Sequence, residues 1–204
     1  MAYFPFYVDL DTKKALIVGG GTIAYRKIEK LKPFGVKLTV ISPVFIKEIK
    51  DDKDLILINR EYKEGDEEGF TFVIASTDNR EVNKTISNRC KDKNILVNVV
   101  DDPSLCTFIF PSLIKNGKLT IGISTSGSSP TASIELKKMI NSLIPDNFDS
   151  ILDFLYKKRN EIKENIKTEE ERHEILKELF YQCLENNKFL TSYECNKNRE
   201  EKDE

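Results

Sequence analysis

The sequence predicts an α/β protein, a parallel sheet layered with helices, followed by a smaller segment and a helical end. Three observations carry this reading. Short apolar runs alternate with helix-like stretches through the first half. A glycine cluster joins the first run to the first of those stretches, and no strand pattern appears beyond Asn147. Strand, helix, strand in that order implies right-handed crossovers and a parallel sheet.

Residues 15–18 (Ala-Leu-Ile-Val) read as a buried strand, since both faces are apolar. Residues 22–34 turn helical, with Ile23, Ile28, Leu31 and Phe34 on related turns and Gly35 as the stop. Strands follow at 37–41, 55–58 and 72–75. The next helix spans 79–90, begun by Asp78 with Glu81 three residues on as a capping box. Residues 95–100 make a fifth strand, 107–110 a sixth, and 119–124 one more. Ser129-Pro130 is a cap followed by proline at a first helical position. The helix it starts runs to Leu143, with Ala132, Leu136, Met139, Ile140 and Leu143 as the inward face. Phe148, Ile151, Leu152 and Leu155 form one apolar stripe, and Ile175, Leu176, Leu179, Phe180 and Cys183 form another after a Thr168 cap.

Composition narrows the function. Of 204 residues 39% are apolar, enough for a packed core. The 32 basic and 34 acidic side chains nearly cancel, so no nucleic-acid partner is expected. Four cysteines without a CxxC pair, and the single His173 among charged neighbours, give no metal-site rhythm. No apolar run approaches the roughly 18 residues of a membrane span. The opening residues lack a basic n-region, so no signal peptide is expected. A cytoplasmic protein with reduced thiols fits best.

Gly19-Gly20-Gly21-Thr22-Ile23-Ala24 has the spacing G-x-G-x-x-A between a strand and a helix, the context of a dinucleotide fingerprint. Gly19 permits the tight turn, Gly21 lets the main chain approach a pyrophosphate, and the helix start offers free N–H groups to it. Thr22 and Ile23 begin that helix. The acidic ribose clamp expected about 20 residues on is missing. Ser42-Pro43-Val44 stands there instead, and serine lacks the charge that repels a 2′-phosphate. Asp101 and Asp102 before Pro103 lie beyond the fifth strand, where ligands gather in open α/β sheets. By pattern alone they are either turn residues or catalytic ones.

Five blocks together resemble the precorrin-2 dehydrogenases and the dehydrogenase/chelatase module of siroheme synthases. They are residues 14–27 (Lys-Ala-Leu-Ile-Val-Gly-Gly-Gly-Thr-Ile-Ala-Tyr-Arg-Lys), 75–79 (Ala-Ser-Thr-Asp-Asn), 98–103 (Asn-Val-Val-Asp-Asp-Pro), 108–112 (Phe-Ile-Phe-Pro-Ser) and 123–130 (Ile-Ser-Thr-Ser-Gly-Ser-Ser-Pro). The resemblance implies oxidation of precorrin-2 to sirohydrochlorin with NAD as hydride acceptor, and in some members insertion of ferrous iron. It implies Asp101 as the catalytic carboxylate. Gly19, Gly21, Thr22, Ile23, Ser42, Pro43, Val44, Ser76, Thr77 and Asp78 are then the cofactor set, with Asp78 doubling as the cap of its own helix in the competing reading. Ser124, Thr125, Ser126, Gly127 and Ser128, ahead of a helix start, are expected to seat substrate carboxylates. No resident metal is implied. The layout becomes a Rossmann-type domain at 1–113, a dimerisation segment at 114–145, a helical domain at 146–195 and a disordered tail at 196–204, assembled as a homodimer. The competing function is a non-catalytic NAD(H)-sensing module whose helical end binds a partner.

Overall fold

β1 (Lys14–Val18) is buried on both faces and sits at the centre of a five-stranded sheet. The computed structural model describes residues 3–185; the tail expected to be disordered and Cys195 lie outside them. β2 (Lys37–Ser42) and β3 (Ile56–Asn59) extend the sheet on one side of β1, and β4 (Phe72–Ala75) and β5 (Leu96–Val99) on the other. The order is β3-β2-β1-β4-β5, every pair parallel. Chain order reverses between β1 and β4, where Val18 pairs with Ala75, so the crevice at their carboxyl ends is the topological switch point.

Two apolar layers sandwich the sheet. α1 (Thr22–Leu31) buries Ala24, Ile28 and Leu31 against Ala15, Ile17 and Ile74. α3 (Arg80–Asp92) buries Ile86 and Cys90 against Leu16, Val73 and Val97, after the one-turn α2 (Lys47–Lys50). Each fully buried Ile or Leu contributes about 1.5–3 kcal/mol. Gly35, at φ 70°, ends the turn after α1 as its position in the sequence indicates.

Residues to Phe110 form one compact unit and those from Pro111 another. In the second, β6 (Ser112–Asn116) and β7 (Leu119–Ile123) make an antiparallel hairpin. Its Gly117 (φ 51°) leaves no room for a Cβ beside the Asp149 carboxylate, which accepts from Lys118 N at 2.6 Å. α4 (Pro130–Ser142) packs on the hairpin, capped by Ser129 as the sequence indicates. α5 (Phe148–Asn165) and α6 (Glu169–Glu185) bury Ile151 and Cys183, and Phe148 meets Phe180 edge-on at 6.5 Å.

Three expectations need correction. Residues 107–110 are not a strand. Thr107 N donates to Val97 O, but Val97 N bonds the Thr107 side-chain oxygen instead of a carbonyl, so the ladder stops there. The cap of α3 is Asn79, whose Oδ1 accepts from Glu81 N and Val82 N; Asp78 lies one residue too early to do so. The face of α4 expected to point inward is largely open, with Met139 64% and Leu143 80% exposed.

Candidate functional site

The glycine loop follows from where β1 ends. Gly19 N donates to Ile41 O at 2.9 Å, holding the loop against β2. A Cβ on Gly19 (φ 121°) would lie 2.5 Å from Ser76 O, and one on Gly20 2.2 Å from Val44 O. Neither position admits a side chain. A Cβ on Gly21 meets nothing within 4 Å, so its approach side is clear. Gly21 caps α1 with no side-chain hydrogen bond, and no acidic residue stands in the first turn. The first helical bond runs from Tyr25 N to Gly21 O at 3.1 Å. The N–H groups of Thr22, Ile23 and Ala24 thus lack acceptors within the helix and present a partial positive charge. This clear, positive cradle fits a dinucleotide pyrophosphate.

The walls beside the cradle are held by hydrogen bonds. The buried Ser42 hydroxyl donates to Val44 O at 2.7 Å, so it shapes the loop through Pro43 and leaves Val44 exposed. Asn59, at the end of β3, donates to Ser42 O and Pro43 O. Across the switch point, Ser76 donates to Val18 O at 3.0 Å. The Thr77 hydroxyl donates to Oδ1 of the buried Asn83 at 2.7 Å, and Asn83 returns a bond to Thr77 O. Asp78 is exposed at the rim beside Asn79 and Arg80. Asn59 and Asn83 carry no signal in the sequence, because their partners lie on other elements.

Asp101 stands in the turn beyond β5 at φ 63°, the left-handed region that Asp and Asn tolerate. Its side chain is exposed, and among the described residues it makes no hydrogen bond or ion pair. Asp102 differs. Its Oδ1 accepts from Ser104 N and the Ser104 hydroxyl, and the Ser104 bonds hold its carboxyl below the usual range. Asp101 opens on a cavity of about 490 Å³ lined also by Val100, Ile23, Tyr25, Arg26, Lys27, Glu29 and Lys30, three cations against the Glu29 and Asp101 carboxylates. β4 alone separates β1 from β5. At about 4.8 Å per strand spacing, the cradle and the Asp101 turn lie roughly 10 Å apart across the sheet.

The serine loop belongs to the second unit. Ser126 (φ 52°) and Gly127 (φ 84°) turn it, Ser124 Oγ accepts from Ser126 N, and Thr125 Oγ1 bonds Ser129 O and N. Ser128 N is taken by Thr125 O. Ser126, Gly127 and Ser128 are exposed ahead of α4. His173 is exposed on α6, and no group of three metal-ligating side chains occurs among the described residues. No helix among them is long and apolar enough to cross a membrane.

The open face of Gly21 gives a direct test. Gly21→Asp has room to fold, yet places a carboxylate in the cradle where phosphate charge would sit. Isothermal titration is expected to show NAD affinity falling at least about tenfold, with an unchanged melting temperature. Unaltered affinity would remove the cradle from the binding site.

Comparison with known proteins agrees with this geometry. Residues 6–112 match the profile of a family described as "Putative NAD(P)-binding". The chain is 33% identical over 184 residues to the siroheme synthase of Vesicomyosocius okutanii, covering 88% of this chain and 39% of that protein. It is 37% identical over 148 residues to that of Thioalkalivibrio sulfidiphilus, covering 71% and 30%. The chain therefore spans well under half the length of these relatives. A solved structure, SirC, precorrin-2 dehydrogenase, superposes with a TM-score of 0.70 at 27% identity, over 90% of this chain and 100% of that one. The resemblance read from the five sequence blocks and the parallel-sheet fold are both borne out.

Proposed function

Because the chain belongs to this NAD(P)-binding family, we propose that it is an NAD-dependent precorrin-2 dehydrogenase, working in the cytoplasm as a homodimer. The observation that carries the reading is Asp101: an exposed, unpaired carboxylate one strand beyond the switch point, in the cavity that α1 shares. Oxidation of precorrin-2 to sirohydrochlorin removes a hydride and a proton. NAD, when bound, supplies the hydride acceptor. Gly21, Thr22 and Ile23 would hold its pyrophosphate by backbone N–H groups, with Gly19, whose N–H is given to Ile41 O, making the turn that presents them, while the 42–44 and 76–78 turns would bound it on either side. Asp101 takes the proton, as a carboxylate without an internal partner is free to do. Ser124, Thr125, Ser126, Gly127 and Ser128 offer donors for the carboxylates of the tetrapyrrole. Ser42 carries no charge against a 2′-phosphate, so the preference for NAD over NADP is expected to be modest.

Purified protein mixed with precorrin-2 and NAD is expected to develop the absorption spectrum of sirohydrochlorin. No change with precorrin-2 present, alongside measurable NAD binding, would favour the sensing module instead. Ferrous iron added to the product tests iron insertion.

The homodimer rests on α4. The stripes of α5 and α6 pack on one another, but Leu136, Met139 and Leu143 leave an apolar face open, which a second copy would cover. Sedimentation is expected to show a dimer at micromolar concentration that Met139→Glu disrupts. A wild-type monomer with full activity would contradict this.

A further inference from the structure

Lys27 is a cation of α1 set against an aromatic ring. It lies on the face of α1 that lines the Asp101 cavity, together with Ile23, Arg26 and Lys30. Its ammonium sits over the Phe110 ring, 4.2 Å from the centroid. That ring is fixed in turn: Phe110 packs on Phe108 at 5.4 Å, and Phe108 meets Phe72 of β4 edge-on at 5.6 Å. Lys27 is partly buried, and among the described residues no ion pair reaches it. Burial, and next the Lys30 charge, push its pKa below the ordinary lysine range, while Cys106 and Asp101 pull the other way. A cation so placed is under-solvated and gains from an incoming anion.

We infer that Lys27 anchors one carboxylate of the tetrapyrrole and so sets the substrate's position against Asp101. The inference rests on the dehydrogenase reading above and adds the residue that grips the substrate there. The other anion available is the cofactor's pyrophosphate. Lys27 stands five residues past Thr22, about 7.5 Å further along the helix axis, and its ammonium is held on Phe110, away from the cradle. The shared cavity with Asp101 favours the substrate.

Two binding titrations and one kinetic comparison decide it, on wild type, Lys27→Gln and Lys27→Arg. The wild type is titrated with sirohydrochlorin and, separately, with NAD. Lys27→Gln is expected to weaken sirohydrochlorin binding and raise KM for precorrin-2 by about tenfold or more, the worth of one charge-assisted bond. NAD affinity and melting temperature stay as in the wild type, and kcat changes less than KM. Lys27→Arg, which keeps the charge, recovers most of the loss. Wild-type sirohydrochlorin affinity and KM in Lys27→Gln would overturn the inference alone. An equal loss of NAD affinity would overturn it too, assigning the lysine to the cofactor or to packing. Failure of the wild type to bind sirohydrochlorin would instead bring down the dehydrogenase reading and this inference with it.

Discussion

Asp101→Asn is expected to lower sirohydrochlorin formation by at least about a hundredfold while leaving NAD affinity within error of the wild type. Asparagine tolerates the left-handed backbone at φ 63° as well as aspartate does, so the turn survives; what is lost is a base. Asp102→Asn is the matched control. The Asp102 carboxylate is committed to Ser104 N and Oγ, a structural duty that the asparagine carbonyl can largely continue. Steady-state rates of the two variants separate the roles. Normal turnover by Asp101→Asn with a dead Asp102→Asn would put the base one residue later. Normal turnover by both would reduce the segment to a turn.

The second large effect concerns stability rather than chemistry. Glu67 is fully buried, between β3 and β4 in sequence. Its carboxylate accepts from Tyr62 Oη at 2.6 Å, Gly65 N at 2.9 Å and Arg89 Nε at 2.8 Å, with Lys93 Nζ at 3.3 Å. Burial alone would raise its pKa, but hydrogen bonds from Tyr62, the backbone, Arg89 and Lys93 outweigh it and hold it at about 2. A depressed carboxyl pKa stabilises the fold at every pH above the unfolded value, near 4.5, and the contribution is lost as pH falls from there toward 2. Glu67→Gln is expected to cost about 3 kcal/mol at neutral pH. It should also lose much of the wild type's pH dependence of unfolding between those values. Urea melts across that range check both, and a variant as stable as the wild type at pH 7 would show the cluster to be dispensable.

The legible part of the site is local in sequence. The turn from β1 into α1 is written in consecutive residues, because Gly19 and Gly21 act through their own backbone. Ser129 as the cap of α4 and Gly35 as the stop after α1 are likewise local. Residues 107–110 are apolar enough to read as a sixth strand, whereas the hydrogen-bonding role of the Thr107 side chain depends on Val97. Strand β6 starts just after it, at Ser112. Asp78 and Asn79 are both good caps, and only backbone geometry decides between adjacent candidates. Asn59 takes its role from Ser42 and Pro43, and Glu67 part of its own from Arg89 and Lys93, partners remote in sequence. Lys27 lies inside the very block that carries the family resemblance. Nothing in that block marks it out, and its contact with Phe110, remote in sequence, is visible only in the fold.

A precorrin-2 dehydrogenase must move a hydride from the tetrapyrrole to NAD. Recording NADH and sirohydrochlorin together, in one cuvette of purified wild-type protein with precorrin-2 and NAD, tests it most directly. Both are expected to appear at the same rate and in equal amounts, with neither formed when NAD is withheld. Sirohydrochlorin appearing at the same rate without NADH, or NAD bound and left unreduced while precorrin-2 persists, would contradict it.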